Sequence, residues 1–175
     1  MDVFTPLARL LRERGVQYVV IGVAGANHYA LGGATVFTTR DRDLFLPLDP
    51  DNLLRCWDAC EAAGLSLWLG EEPLDSPRDR WLAERVIDRR TVIRATDNDQ
   101  LDVDLTLVMA AFEFETVWGD RRMFIVDGVQ VPVARLLHIV ESKHPAGRDK
   151  DRLFLATHRE ALRRLLGDES SDGTR

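Results

Sequence analysis

The chain has 175 residues, enough for one domain with its own core, and its 45% apolar and 30% charged content is that of an ordinary globular protein. A net charge of −6 argues against wholesale binding to a bare phosphate backbone, and no apolar run approaches the roughly 20 residues that span a bilayer. Met1 to Pro6 has neither a basic start nor an apolar stretch, so no secretory leader and no membrane partner are expected, and the expected compartment is the cytoplasm. Cys56 and Cys60 lie four apart in a helical pattern and read as buried reduced thiols, and the four histidines are scattered, without metal-ligand spacing.

In chain order, Thr5 reads as the cap of a first helix with Pro6 at its first position and Gly15 as its stop. Gln17 to Ile21 reads as a buried strand ending at Gly22, and Val23 to Leu31 as a short helix closed by Gly32 and Gly33. Strand, glycine, helix is the geometry in which helix N-terminal amides face an anion. A strand through Asp41 to Leu46 follows, then a helix capped by Asp51 and running to about Ala63. Leu65 to Leu69 is a short strand, Gly70 to Ser76 a loop, and Ser76-Pro77-Arg78-Asp79 the capped start of a helix carrying Trp81 and Leu82. Thr91 to Thr96 and Leu101 to Leu107 form a hairpin about Asp97–Gln100, and Phe112 to Trp118 a short helix. Asp127-Gly128, between Met123–Val126 and Val129–Val133, is the strongest hairpin signal in the chain. A helix then runs to about Lys143, broken by Pro145 and Gly147, and a last helix spans about Asp149 to Leu166. Residues 1–167 read as a single domain and 168–175 as a polar, disordered tail.

The chemistry concentrates in Asp41-Arg42-Asp43. On a strand, side chains alternate, so the two aspartates share a face and Arg42 takes the other. Paired carboxylates repel unless a cation lies between them, and a hard ion such as Mg²⁺ takes one or two of them together with water and phosphate. Asp102-Val103-Asp104 offers a third carboxylate from a second strand, with Asp102 and Asp104 both open as the donor. The competing reading is structural, in which Asp-x-Asp marks a strand edge or turn. The segment from Val133 to Gly167 holds eight Lys/Arg and four Asp/Glu, a basic counterpart to the acidic strands.

This pattern resembles the nucleotidyltransferase superfamily, whose best-known member is DNA polymerase β. Within it the chain looks most like the small bacterial nucleotidyltransferases, including the toxins of abortive-infection toxin–antitoxin systems. The resemblance rests on Ile21-Gly22-Val23, Asp41-Arg42-Asp43, Val103-Asp104-Leu105-Thr106, and the run from Val126 to Lys143 followed by Ala146-Gly147-Arg148-Asp149-Lys150-Asp151. It covers most of residues 16–166 and departs from the family at Val23, where a second small residue is usual, and at Arg42, usually apolar.

The resemblance implies an α/β (α+β) fold, a nucleotidyltransferase-like mixed β-sheet flanked by helices, with a C-terminal helical segment. It also implies an enzyme, with Mg²⁺ as cofactor in a two-metal site and a nucleoside triphosphate as substrate. A nucleoside monophosphate would pass to transfer RNA, a protein or a small molecule, and an antitoxin is an implied partner. Asp41, Asp43 and Asp104 become the catalytic and metal-binding residues; Asp104 is preferred to Asp102 because Asp-Leu-Thr continues as the family does. Gly22 and Val23 amides, with Lys143, Arg148 and Lys150, become the nucleotide-binding groups. The two lysines are expected to face the cleft, so that replacing them weakens nucleotide binding and leaves stability nearly unchanged. Two other readings stand beside this one: a catalytically silent nucleotide-binding or interaction protein that keeps the fold, and a plain α/β domain with structural acids.

Overall fold

Short apolar strands alternating with amphipathic helices must bury both sheet faces, and the computed structural model, which describes residues 1–30, 40–146, 149–157 and 159–172, shows how. The described strands are β1 (Val19–Ile21), β2 (Asp41–Phe45), β3 (Ser66–Leu69), β4 (Glu72–Pro73), β5 (Ile93–Thr96), β6 (Asp102–Thr106), β7 (Arg122–Val126) and β8 (Val129–Val133). They form one sheet in the order β4-β3-β5-β6-β2-β1-β8-β7. The sheet is mixed: β2–β6 and β1–β8 are parallel, and the other neighbouring pairs are antiparallel. The helices are α1 (Thr5–Glu13), α2 (Gly22–Tyr29), α3 (Pro50–Ala62), α4 (Arg80–Arg89), α5 (Phe114–Gly119), α6 (Leu136–Ala146), α7 (Asp149–Thr157) and α8 (Arg159–Asp172).

One sheet face is apolar over its centre, with Arg42 at its edge. Val20, Leu44, Leu46, Val103, Leu105, Ile93, Ala95 and Leu67 meet Leu7 and Leu11 of α1, Leu53 and Trp57 of α3, and Ala83 and Val86 of α4. Each of the larger fully buried side chains contributes roughly 2–3 kcal/mol by leaving water. The opposite face is covered over only part of its area, where Val19, Ile21 and Phe45 pack against Met109, Phe114, Val117 and Ile139. Cys56 and Cys60 are free and buried, as their spacing suggests.

Several boundaries differ from the sequence reading for local reasons. Phe4, not Thr5, takes the N-cap position of α1. The Thr5 hydroxyl instead donates to Asp127 Oδ2 at 2.8 Å, beside the Asp2 amide on the same oxygen at 2.8 Å, which ties the N-terminus to the β7–β8 turn. Asp49 rather than Asp51 caps α3, accepting from the Asp51 and Asn52 amides, because Pro50 already supplies the preset φ of the first helical position. The stretch 70–76 read as loop contains β4, paired with β3. α6 runs one residue beyond Pro145, so that proline does not break it. The described residues of the last helical stretch form α7 and α8, and α8 continues to Asp172 across the start of the stretch read as tail. There Glu169 is buried and accepts from Arg135 Nε at 3.1 Å. The remaining hairpins form as expected. Asp127 (φ 49°) and Gly128 (φ 79°) make the two-residue turn of β7–β8, with both centres left-handed.

Arg42 points away from the aspartates that flank it. Its partner on that side is Asp2, at 3.5 Å, and Asp2, Asn27, His28 and Arg42 line a small cavity together. His28 and Tyr29 pack on Phe124, with ring centroids 5.5 and 5.0 Å away, and the Tyr29 hydroxyl donates to the Ala134 carbonyl at 2.7 Å. Burial lowers the His28 pKa from 6.5; Asp2 opposes the shift and Arg42 adds to it. The unfolded chain therefore takes up a proton at a pH where the folded one does not, and stability falls as pH drops through 6.5. Melting curves taken between about pH 7.5 and about pH 5.5 should show this loss in the wild type and a smaller one in His28→Gln. Equal losses in the two proteins would remove His28 from the account.

Candidate active site

The central strands are β1, β2 and β6 in that order, and their register decides which side chains meet. The parallel β2–β6 ladder aligns Asp41 with Asp102 and Asp43 with Asp104. Residues aligned across a ladder share a face, so all four carboxylates stand on the partly covered face of the sheet, each half-buried. The antiparallel β5–β6 ladder extends the alignment, placing Arg94 opposite Asp104 and Thr96 opposite Asp102. The β3–β5 ladder adds Trp68 opposite Arg94 and Ser66 opposite Thr96. Two rows therefore cross four strands on one face: Asp43, Asp104, Arg94, Trp68, and Asp41, Asp102, Thr96, Ser66.

Gly22 closes the near end of the first row. Ile21 pairs with Asp43 across β1–β2, and the chain turns into α2 at Gly22 with φ +68°. A Cβ on Gly22 would lie 2.5 Å from Asp43 Oδ2, inside any real contact distance. Glycine is needed here for both the left-handed backbone and the approach of the carboxylate. No side chain caps the N-terminus of α2, and its first turn holds no acid, so the positive end of this helix sits beside Asp43 without a local carboxylate of its own.

The remaining carboxylates have side-chain partners that the sequence reading did not supply. Arg94 makes a two-pronged pair with Asp104, Nε to Oδ1 at 2.9 Å and Nη2 to Oδ2 at 3.1 Å. The hydrogen bond to Asp104 raises the Arg94 pKa above its ordinary value, with the charges of Asp104, Asp41 and Asp102 adding to it. Asp102 accepts from the Thr96 hydroxyl at 2.6 Å. The signal for both partners was present, because a hairpin centred on residue 99 pairs 94 with 104 and 96 with 102.

Of the residues expected to bind nucleotide, Gly22 and Val23 open α2, Lys143 lies on α6 and Lys150 on α7. Val23 follows Gly22 into α2, and its side chain packs toward the cluster of Ala26, Leu136, Phe154 and Leu162. Lys143 is buried, its Nζ 4.9 Å from the ring centroid of Phe154, a contact that joins α6 to α7. Replacing it without loss of stability is therefore no longer the expectation. Lys150 lies in the first turn of α7, and Arg148 falls outside the described residues. Glu113 and Glu115, at the start of α5, stand where a helix dipole favours acids. A cavity of about 420 Å³ at the far ends of β2 and β6 is lined by Phe45, Met109, Phe112 and Phe114, away from the aspartates.

As donors, Asp41 and Asp43 suit a hard divalent ion, which asks for one or two carboxylates and fills its shell with water and phosphate. Asp104 does not complete a ready-made cage, since Arg94 occupies both of its oxygens. Among the described residues no group of three Asp, Glu, His or Cys side chains converges on a metal position.

Comparison with known proteins places the fold. No family model matches the chain, and no curated protein matches it. Two solved structures of the antibiotic-resistance factor ANT(2'')-Ia are similar. A solution structure superposes with a TM-score of 0.54 at 16% identity over 97% of this chain and 90% of that one. A crystal structure in complex with adenylyl-2''-tobramycin gives 0.51 at 15% identity over 98% and 97%. The eight-stranded mixed sheet flanked by helices is thus a nucleotidyltransferase-like fold.

Gly15 and Gly22 have nearly the same left-handed φ, +63° and +68°, but only Gly22 faces a crowded Cβ position. Gly15→Ala should cost on the order of 1 kcal/mol for the backbone alone. Gly22→Ala should cost more, because Asp43 must also move. Urea denaturation of the two variants measures the difference, and equal losses would show that the Gly22–Asp43 approach is relaxed.

Proposed function

We propose that the protein is a Mg²⁺-dependent nucleotidyltransferase that moves a nucleoside monophosphate from a nucleoside triphosphate to an acceptor hydroxyl. The observation that carries this reading is the placement of Asp41 and Asp43 on the open face of a nucleotidyltransferase-like sheet, with Gly22 held against Asp43. Asp41 and Asp43 hold the metal, whose contribution is to offset the triphosphate charge and lower the pKa of the attacking hydroxyl. The amides of Gly22 and Val23, at the positive end of α2, bind terminal phosphate oxygens. Arg148 and Lys150 add positive charge from the C-terminal segment, and Lys143, buried over Phe154, seats α7 against α6. The acceptor oxygen bonds to the α-phosphorus, the bond to the bridging oxygen breaks, pyrophosphate leaves, and Asp104 takes the hydroxyl proton.

Among acceptors, a small molecule carrying amines fits better than transfer RNA. Four carboxylates on one face repel a polyanion and attract a cation. In ANT(2'')-Ia the solved complex holds adenylyl-2''-tobramycin, so that protein's site takes an adenylylated small molecule. A toxin–antitoxin role rests on the sequence resemblance alone. The silent nucleotide-binding reading is favoured by one observation, the Arg94 fork that engages Asp104.

Each nucleoside triphosphate labelled at the α-phosphate, with Mg²⁺ and panels of amine-bearing small molecules and transfer RNA, should identify one labelled product. Asp41→Asn and Asp43→Asn should each abolish it, and nucleotide binding without turnover in the wild type would select the silent reading. Asp43→Asn also removes one of four neighbouring negative charges. In metal-free buffer it should melt no lower than wild type and lose the stabilisation by Mg²⁺ and nucleotide. A variant that melts lower while keeping the full ligand-induced shift would assign Asp43 a structural role.

A further inference from the structure

Four carboxylates share one sheet face, and the arginine in their row is placed with more constraint than a surface ion pair needs. Arg94 is directly opposite Asp104 in the β5–β6 ladder, and Asp104 is directly opposite Asp43 in the β2–β6 ladder. The guanidinium grips both oxygens of Asp104, through Nε and Nη2, so neither is left as an unengaged metal donor. Such a fork is a property of arginine, whose planar donors match a carboxylate edge, and an ammonium does not reproduce it. The Asp104 side chain is 23% exposed, about half the exposure of Arg94 at 44%, so the carboxylate is the better covered partner of the pair.

We propose that Arg94 is the resident counter-cation of this face, occupying through its fork on Asp104 the place a second divalent ion would need, so that the resting protein takes one such ion, on Asp41 and Asp43. The inference rests on the nucleotidyltransferase reading and refines it. Asp104 becomes available as a proton acceptor or second-metal ligand only after the fork opens. A nucleotide supplies the means, because the phosphates that arrive with the first ion offer the guanidinium a second anionic partner with two oxygens that its fork can grip. Arg94 is thus a positioning residue: it sets the charge and accessibility of Asp104 before substrate binds. The row ends at Trp68, which pairs with Arg94 from β3, so a side chain leaving Asp104 has an aromatic neighbour on the same face.

The test is a titration of the intact protein with Mn²⁺ alone, reading bound and free ion by electron paramagnetic resonance, before any nucleotide is added. Wild type should bind one equivalent. Arg94→Met, which keeps an unbranched apolar side chain and removes the charge, should bind a second equivalent or bind the first on the order of tenfold more tightly. Arg94→Gln should do the same, so that a folding defect in one variant does not decide the outcome. Two equivalents in the wild type, or unchanged stoichiometry and affinity in both variants, would overturn the role of Arg94 and leave the nucleotidyltransferase reading in place. No Mn²⁺ bound by any of the three proteins would overturn both.

Discussion

The acidic face depends on one alignment, the unshifted parallel pairing of β2 with β6. Parallel neighbours need a crossover, and this one passes through α3, β3, β4, α4 and β5 before the chain returns beside β2. Its register is held by the opposite face. Leu44, Val103 and Leu105 are fully buried there, each stabilising the pairing by roughly 1.5–3 kcal/mol. A slip of one residue on either strand would turn that strand's apolar residues to solvent and drive its aspartates into the core without partners. The core under one face therefore determines the carboxylate geometry on the other, although its side chains point away from the site.

The same sheet resolves a conflict between stability and chemistry by covering its second face unevenly. Where Val19, Ile21 and Phe45 stand, α5 and α6 supply Phe114, Val117 and Ile139, and the surface is dry. Where the aspartates stand, the face is left partly open. Two unit charges one strand spacing apart, near 5 Å, repel by roughly 1 kcal/mol in water and by about 3 at a surface dielectric near 20. Solvent, Arg94, the Thr96 hydroxyl and the N-terminus of α2 bring the cluster within what a folded domain tolerates.

Much of this was legible in the chain. Asp-x-Asp on an apolar run placed Asp41 and Asp43 together and Arg42 opposite, and the need of a half-buried arginine for a partner is met by Asp2. The Asp-Gly hairpin, the strand–glycine–helix turn and the antiparallel strands through Arg94 and Asp104 were also readable. The α3 cap was misplaced by two residues, since Asp49 and Asp51 flank a proline and only the first lies outside the helix. The burial of Lys143 was not legible, because nothing local to it announces Phe154, eleven residues on. Arg94 was overlooked for a different reason. Its own strand alternates plainly, but its significance appears only when the hairpin register is carried across to Asp104 and from there to Asp43.

The departure at Val23 is settled by direction rather than size. Gly22 and Val23 are consecutive, yet they meet different neighbours because the chain changes from strand to helix between Ile21 and Gly22. At Gly22 a Cβ would run into Asp43 Oδ2, while at Val23 the branched side chain packs toward Ala26 and Leu136. A small residue is required only where the Cβ vector points at the carboxylate, and the next position is free to contribute apolar contact to the C-terminal helices. Gly25 shows the same requirement one turn later, where a Cβ would lie 2.9 Å from Ile139 Cδ1 and 3.0 Å from the Val20 carbonyl oxygen. Glycine at 22 and at 25 therefore lets α2 lie close to β1, α6 and Asp43 at once. That closeness brings the positive end of α2 to the edge of the acidic face, beside Asp43.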